Sequence, residues 1–247
     1  MDRDSLQRFD KPATSQLTAE EALVMVLLDV IEEPVGGDAG HVRRVRQGSV
    51  ILADELRRDD EFRSEIDDEF LRHLYWASPL HDVGKIAVDR RILAKPDRLT
   101  PAEIDEVRQH VPAGTRLLER AGELADRSPL LAMATSIARY HHERFDGTGY
   151  LEGLKGDQIP LAARIVALAD VYDALTSRRV YKPVHAPEEA RQMIRGESGR
   201  HFDPRIVAAF ESRFADFAEL ARRENVQTHG PHVDPSLRAS LKSGHLS

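Results

Sequence analysis

Asp170 lies in the run LAARIVALADVYDALTS, four residues after Val166. At 3.6 residues per turn the two share one face of a helix, and the run around them is almost wholly apolar. A carboxylate buried on such a face without a partner is strongly unfavourable. Asp173, three residues further on, repeats the problem on the same face. Whatever this chain folds into must bring cations or metal-binding groups to that helix.

The rest of the pattern is helical nearly throughout. Thr18 and Glu21 form a capping box that opens AEEALVMVLLDVIEE, and EPVGGDAG breaks that helix. Val42, Val45, Leu52 and Leu56 mark a second stripe, and Phe70, Leu71, Leu74 and Tyr75 a third. Thr100-Pro101-Ala102-Glu103 opens a helix expected to bury Ile104, Val107 and Val111. Ser128-Pro129 opens another that runs to Tyr140. Asp203-Pro204 opens the last, with Ile206, Val207, Phe210, Phe214 and Phe217 inward. Strand-like alternation is nearly absent. The expectation is an all-α, compact helical bundle over residues 17–223. Its flanks, 1–16 and 224–247, are polar and turn-rich and read as loosely ordered.

Histidines recur at inner positions. His110 is three residues after Val107, His141 four after Ile137, and His142 four after Ala138. In SPLHDVGKIAV, His81, Asp82 and Lys85 end an apolar segment that Gly84 bends. His73, His185 and His201 read as ordinary structural histidines. The chain has no cysteine, so any metal must be held by His, Asp or Glu. Imidazoles and carboxylates converging in a helical core suit hard-to-borderline divalent metals. An aspartate beside a histidine can bridge two such ions. The net charge of -7 argues against DNA or RNA as the main partner and leaves room for a small anion at a local basic cluster, SRRVYK. The longest apolar stretch, ALVMVLL, is too short to span a membrane, and MDRDSLQRFDKPATSQ lacks the apolar region of a signal peptide. A cytoplasmic protein is expected.

An ordered set of motifs adds to this reading. It consists of HVRRV (His41), LHDVGK (His81, Asp82, Lys85), ILAKPDRLTPAEIDEVRQHVPAG (His110) and HHERFDGTGYLEGLKG (His141, His142). IPLAARIVALADVYDALTSRRVYK (Asp170, Asp173, Arg179, Lys182) and HFDPRIVAAF follow. From about His41 to Phe210 the chain resembles the HD-GYP subgroup of the HD-domain metal-dependent phosphohydrolases. The resemblance implies an HD-type bundle that hydrolyses cyclic di-GMP to pGpG or GMP with two divalent metals, iron or manganese. One metal would take His41, His81, Asp82 and Asp170. The other would share Asp82 as a bridge and add His110, His141 and His142. Lys85 would offset charge growing on the phosphoryl group, one turn from the catalytic Asp82. Arg179 and Lys182 would hold the substrate phosphates, Tyr150 would touch the nucleotide, and Asp173 would orient a ligand or a water.

Two positions depart from the family pattern. Leu151 replaces the proline of the signature loop, which loosens Gly149-Tyr150-Leu151, a surface for a signalling-protein partner. Gly37 stands where some members carry a glutamate for a third metal, which favours two. Two alternatives remain: hydrolysis of another cyclic nucleotide, and a catalytically silent cyclic-dinucleotide-binding module. The silent module predicts lost ligands, whereas all seven metal positions are filled.

Overall fold

A computed structural model of the chain describes residues 17–32, 39–177 and 184–227. The first helices are α1 (Ala19–Glu32), α2 (Ala39–Leu56) and α3 (Asp68–Ala77). Helix α3 passes directly into a 3-10 stretch, Ser78–Ala87. Then come α4 (Arg90–Leu93), α5 (Pro101–Arg108), α6 (His110–Leu124) and α7 (Pro129–Tyr140). Helices α8 (Leu161–Thr176), α9 (Pro187–Gly196), α10 (Pro204–Ser212) and α11 (Phe214–Gln227) complete the order. No strand occurs among the described residues, and one isolated bridge joins Ser198 to Phe202. The all-α class read from the sequence is correct. No helix among the described residues is long and apolar enough to cross a membrane.

Local chemistry sets the helix starts. Thr18 and Glu21 exchange side chain–backbone bonds of 3.2 and 2.9 Å ahead of α1. Thr100 and Glu103 do the same at α5, where proline fills the first position. Helix α8 lies at the centre. Leu161, Ile165, Val166 and Leu168 are buried on it, and it packs against α2, α7 and α9. Gly48 lets α2 approach closely, because a methyl there would lie 3.1 Å from the Phe217 ring and 3.4 Å from Ala169. Helix α6 packs against α7 and the 3-10 stretch, forming the other wall of the site.

Two expected helices are each broken in two. The helix opened at Thr100 ends at Arg108, and α6 starts afresh at His110. Pro112 explains the break: it cannot donate to the Arg108 carbonyl and would clash with it in a continuous helix. It is tolerated in the first turn of a new one. Helix α5 therefore lies at the surface, and Ile104 is 40% exposed rather than buried. The expected last helix is interrupted at Arg213, which is buried and donates to Asp216 at 2.6 Å. Its second half reaches Gln227, past the boundary expected at 223. The expected loose ends fall outside the described residues over 1–16 and 228–247.

Asp203 is the buried polar anchor of this half of the molecule. Its carboxylate accepts the Arg205 backbone N–H at 2.9 Å, which caps α10, and the guanidinium groups of Arg205 and Arg164. Arg164 sits on α8, so one carboxylate joins the starts of α8 and α10. Asp203→Ala would leave the nearly buried Arg164 without this partner. The expected loss is about 3–5 kcal/mol, the cost of breaking a buried pair. Urea unfolding measures it, and a change below about 0.5 kcal/mol, typical of surface substitutions, would show that the network contributes nothing.

Candidate metal centre

The site begins with a close backbone approach. Gly84, within the 3-10 stretch, lies against the first turn of α6. A methyl there would fall 1.9 Å from the His110 carbonyl oxygen and 2.4 Å from the Gly114 nitrogen. Gly114 is glycine for the reciprocal reason, since a methyl on it would lie 3.0 Å from the Gly84 nitrogen. This contact sets Asp82 beside His110, with Asp82 Oδ1 3.3 Å from His110 Nε2.

The buried histidines are oriented by backbone carbonyls at helix ends. His81 Nδ1 donates to the Ser78 carbonyl at 2.8 Å, and His110 Nδ1 to that of Val107 at 2.6 Å. His141, the C-cap of α7, donates to the carbonyls of Ile137 and Ala138 at 3.0 and 3.2 Å. Each Nδ1 therefore carries a proton, and in the neutral ring each Nε2 presents a lone pair. All three Nε2 atoms are buried and have no hydrogen-bond partner. Three buried lone pairs converging beside a carboxylate are a donor set that fits a divalent cation.

Asp82 stands between two groups. One joins Asp82 with His110, His141 and His142, and the other joins it with His41 and His81; within each, the ligand atoms lie within 4.8 Å of one another. Asp82 Oδ1 faces His110 and His141, at 3.3 and 4.0 Å, while Oδ2 is 3.3 Å from His81 Nε2. Asp170 Oδ1 stands beside the second group, 3.8 Å from His41 Nε2 and 3.9 Å from His81 Nε2. Burial alone would push the Asp82 carboxyl up. The ammonium of Lys85, ion-paired with it, and the His81 ring outweigh this and hold it well below the carboxylate range. On His81 burial acts the other way and depresses the ring, and Asp82 and Asp170 outweigh that to hold it above its ordinary value.

Asp173 does not enter either group. It is buried and accepts His41 Nδ1 at 2.6 Å, the Arg44 guanidinium and the Ser177 hydroxyl at 3.0 Å. It thereby aims His41 Nε2 at Asp170. Tyr150 lies on His142, with ring centroids 5.0 Å apart and planes 32° from parallel. The Arg108 guanidinium sits 4.9 Å from the Tyr150 ring. His73, His185 and His201 join neither group: the first two pair with Glu69 and Glu189, and His201 stacks on Phe202. Arg179, Lys182 and Gly37 lie outside the described residues. Sequence reading missed Glu143, a buried carboxylate next to His142. Its only signal was an acidic residue between two histidines and a glycine loop.

A family model described as HD domain matches residues 52–206. The chain belongs to the HD-domain family. The HD-GYP resemblance of its motifs agrees with that match. A probable cyclic di-GMP phosphodiesterase of Vibrio cholerae serotype O1 is 41% identical over 205 residues, covering 83% of this chain and 46% of the relative. A cyclic di-GMP phosphodiesterase of Thermotoga maritima is 41% identical over 184 residues, covering 74% of this chain and 46% of the relative. The chain thus spans about half the length of the curated relatives it matches. The crystal structure of a cyclic GMP-AMP specific phosphodiesterase of V. cholerae superposes with a TM-score of 0.54 at 21% identity. The match covers 88% of this chain and 57% of that one, and it supports the fold.

Burial makes several of the HD domain's imidazoles hard to charge. It holds His141 well below its ordinary range and pulls His142 to about 4, with neighbouring imidazoles adding to the effect. Between the ordinary value of 6.5 and about 4, the unfolded chain takes a proton at His142 that the folded chain refuses. This group therefore makes the metal-free protein lose stability as pH falls through that window, by at most about 1.4 kcal/mol per pH unit. Urea unfolding at pH 7 and pH 5 is the measurement. Metal-free His142→Ala should lose less stability on acidification than wild type, and equal losses would contradict the assignment.

Proposed function

We propose that this HD domain hydrolyses cyclic di-GMP, to pGpG or on to GMP, using two divalent metal ions, iron or manganese. The observation that carries the reading is Asp82, whose two oxygens face two separate histidine groups. His41, His81 and Asp170 would hold one ion, His110, His141 and His142 the other, and Asp82 would bridge. Two metals bound there would supply an activated water and a clamp on the phosphoryl oxygens. The names of the two relatives support the substrate.

The chain's own residues have distinct tasks in this reading. The backbone carbonyls behind His81, His110 and His141 hold the Nδ1–H tautomer, so that Nε2 of the neutral ring is the atom aimed inward. Asp173 does the same for His41 from the side-chain level. Lys85, already drawn to Asp82, places an ammonium where charge grows on the phosphoryl group. Tyr150 offers a ring to a nucleobase at the mouth of the site. Arg179 and Lys182 would hold the phosphates. We also place the protein in the cytoplasm.

The test is to incubate purified protein with manganese or ferrous iron and cyclic di-GMP and to separate the products, with cyclic GMP-AMP as the competing substrate. Asp82→Ala should abolish turnover and lower metal content, while His201→Ala should leave both nearly intact. Lys85→Ala should keep its metals and lose on the order of a hundredfold in kcat/KM, the loss of one electrostatic stabiliser. Lys85→Arg should recover only part, because a planar fork does not replace a point charge. A Lys85→Ala enzyme as fast as wild type would remove this residue from the mechanism. Faster turnover of cyclic GMP-AMP than of cyclic di-GMP would reassign the substrate.

A further inference from the structure

Glu143 follows His142 directly and is buried, yet it belongs to neither histidine group. Its Oε1 accepts the backbone N–H of Glu152 at 2.6 Å and that of Gly153 at 3.1 Å. Its Oε2 is packed against Gly149: a methyl on that glycine would lie 2.2 Å from Oε2 and 2.6 Å from the Glu143 Cα. One side chain thus grips the loop on both sides of Tyr150. The Tyr150 ring is held over His142 and under the Arg108 guanidinium, with about a third of the residue open to solvent.

We propose that Glu143 is a positioning residue that sets Tyr150 as the aromatic wall against whose exposed part a nucleobase of the substrate packs. This rests on the phosphodiesterase reading for the identity of the substrate, but the clamp itself is a property of the protein alone. The physical case lies in the loop. Leu151 does not stiffen the backbone as a proline would. Gly153 takes a left-handed φ of 69°, a conformation with little intrinsic preference to persist in one place. Bonds that N–H groups donate to a carboxylate are stronger than neutral ones, and burial of Glu143 shields these two from competing water. Gly149 is needed because any side chain would drive the loop off Glu143. Because Glu143 is adjacent to His142, the clamp fixes the loop relative to the histidines rather than to a distant part of the bundle.

The experiment compares wild type with Glu143→Ala, Glu143→Gln, Tyr150→Ala and the double variant Glu143→Ala/Tyr150→Ala. Three quantities are read: metal content, the rate of tryptic cleavage after Lys155 without substrate, and KM and kcat for cyclic di-GMP. Glu143→Ala should keep its metals and be cleaved about tenfold faster, because the loop opens more often. Its KM should rise about tenfold while kcat stays within about threefold, the pattern of lost substrate binding. Tyr150→Ala should show the same KM. The double variant should be no worse than the worse single one, since both act through one ring. Glu143→Gln, whose carbonyl oxygen still accepts both amides, should stay within about threefold of wild type throughout. Should the alanine variant not fold, Glu143→Asp, one methylene too short to reach both amides, takes its place with the same expectations.

Unchanged cleavage and KM in Glu143→Ala, multiplying losses in the double variant, or loss of metal from Glu143→Ala would each overturn the proposal. If wild type turns over no cyclic dinucleotide, the phosphodiesterase reading and the nucleobase assignment fail together. The cleavage comparison then still decides whether Glu143 holds the loop.

Discussion

Where Gly84 meets the first turn of α6, the two backbones are too close to admit even a methyl group. Much of the site follows from this contact. It brings Asp82, two residues earlier, within 3.3 Å of His110 Nε2, although the two lie on different elements. It also explains why His81 and Asp82 lie on a 3-10 stretch. The tighter winding lets the chain pass α6 with a glycine inward while His81 still reaches the Ser78 carbonyl. On the opposite wall Gly48 makes room on α2 for the Phe217 ring, and His41 of α2 meets Asp170 and Asp173 of α8. Glycine does different work at the two places: at one it admits a backbone, at the other a phenyl ring.

Electrostatics then make the cluster self-consistent. A buried carboxylate and a buried imidazole are each costly alone. Asp82 stays ionised because Lys85 and His81 stand beside it, and His41 is anchored because Asp173 is itself neutralised by Arg44. At His141 and His142 burial, with the neighbouring imidazoles, outweighs the pull of Asp82, and both remain neutral, the form in which imidazole donates a lone pair. The demand raised by Asp170 and Asp173 on an apolar helix face is met in two ways. Asp173 is satisfied by protein donors, whereas Asp170 faces the ring nitrogens of His41 and His81.

The helical class was legible because the apolar stripes and the caps at Thr18, Thr100, Ser128 and Asp203 are local signals. The breaks at Gln109 and Arg213 were not. The first depends on Pro112 falling in a new first turn, and the second coincides with a buried arginine that gives no signal in its own sequence. The histidines could be picked out because each occupies a core position. That they form two groups sharing Asp82 is a tertiary fact, carried in the sequence only by family likeness. Glu143 escaped because its partners are backbone amides nine and ten residues away, and backbone leaves no mark in composition.

The hydrogen bonds that aim His81, His110 and His141 terminate on carbonyls at the ends of α3, α5 and α7. Helix ends are where a bundle frays first. When a terminal turn opens, the carbonyl that holds Nδ1 is lost, and with it the direction of Nε2. Occupancy of the histidine cluster and integrity of three helix termini are then one equilibrium. An ion there would act as a staple at the seam where α3, α6 and α7 converge, and amide hydrogen exchange at those distant ends would report on it together.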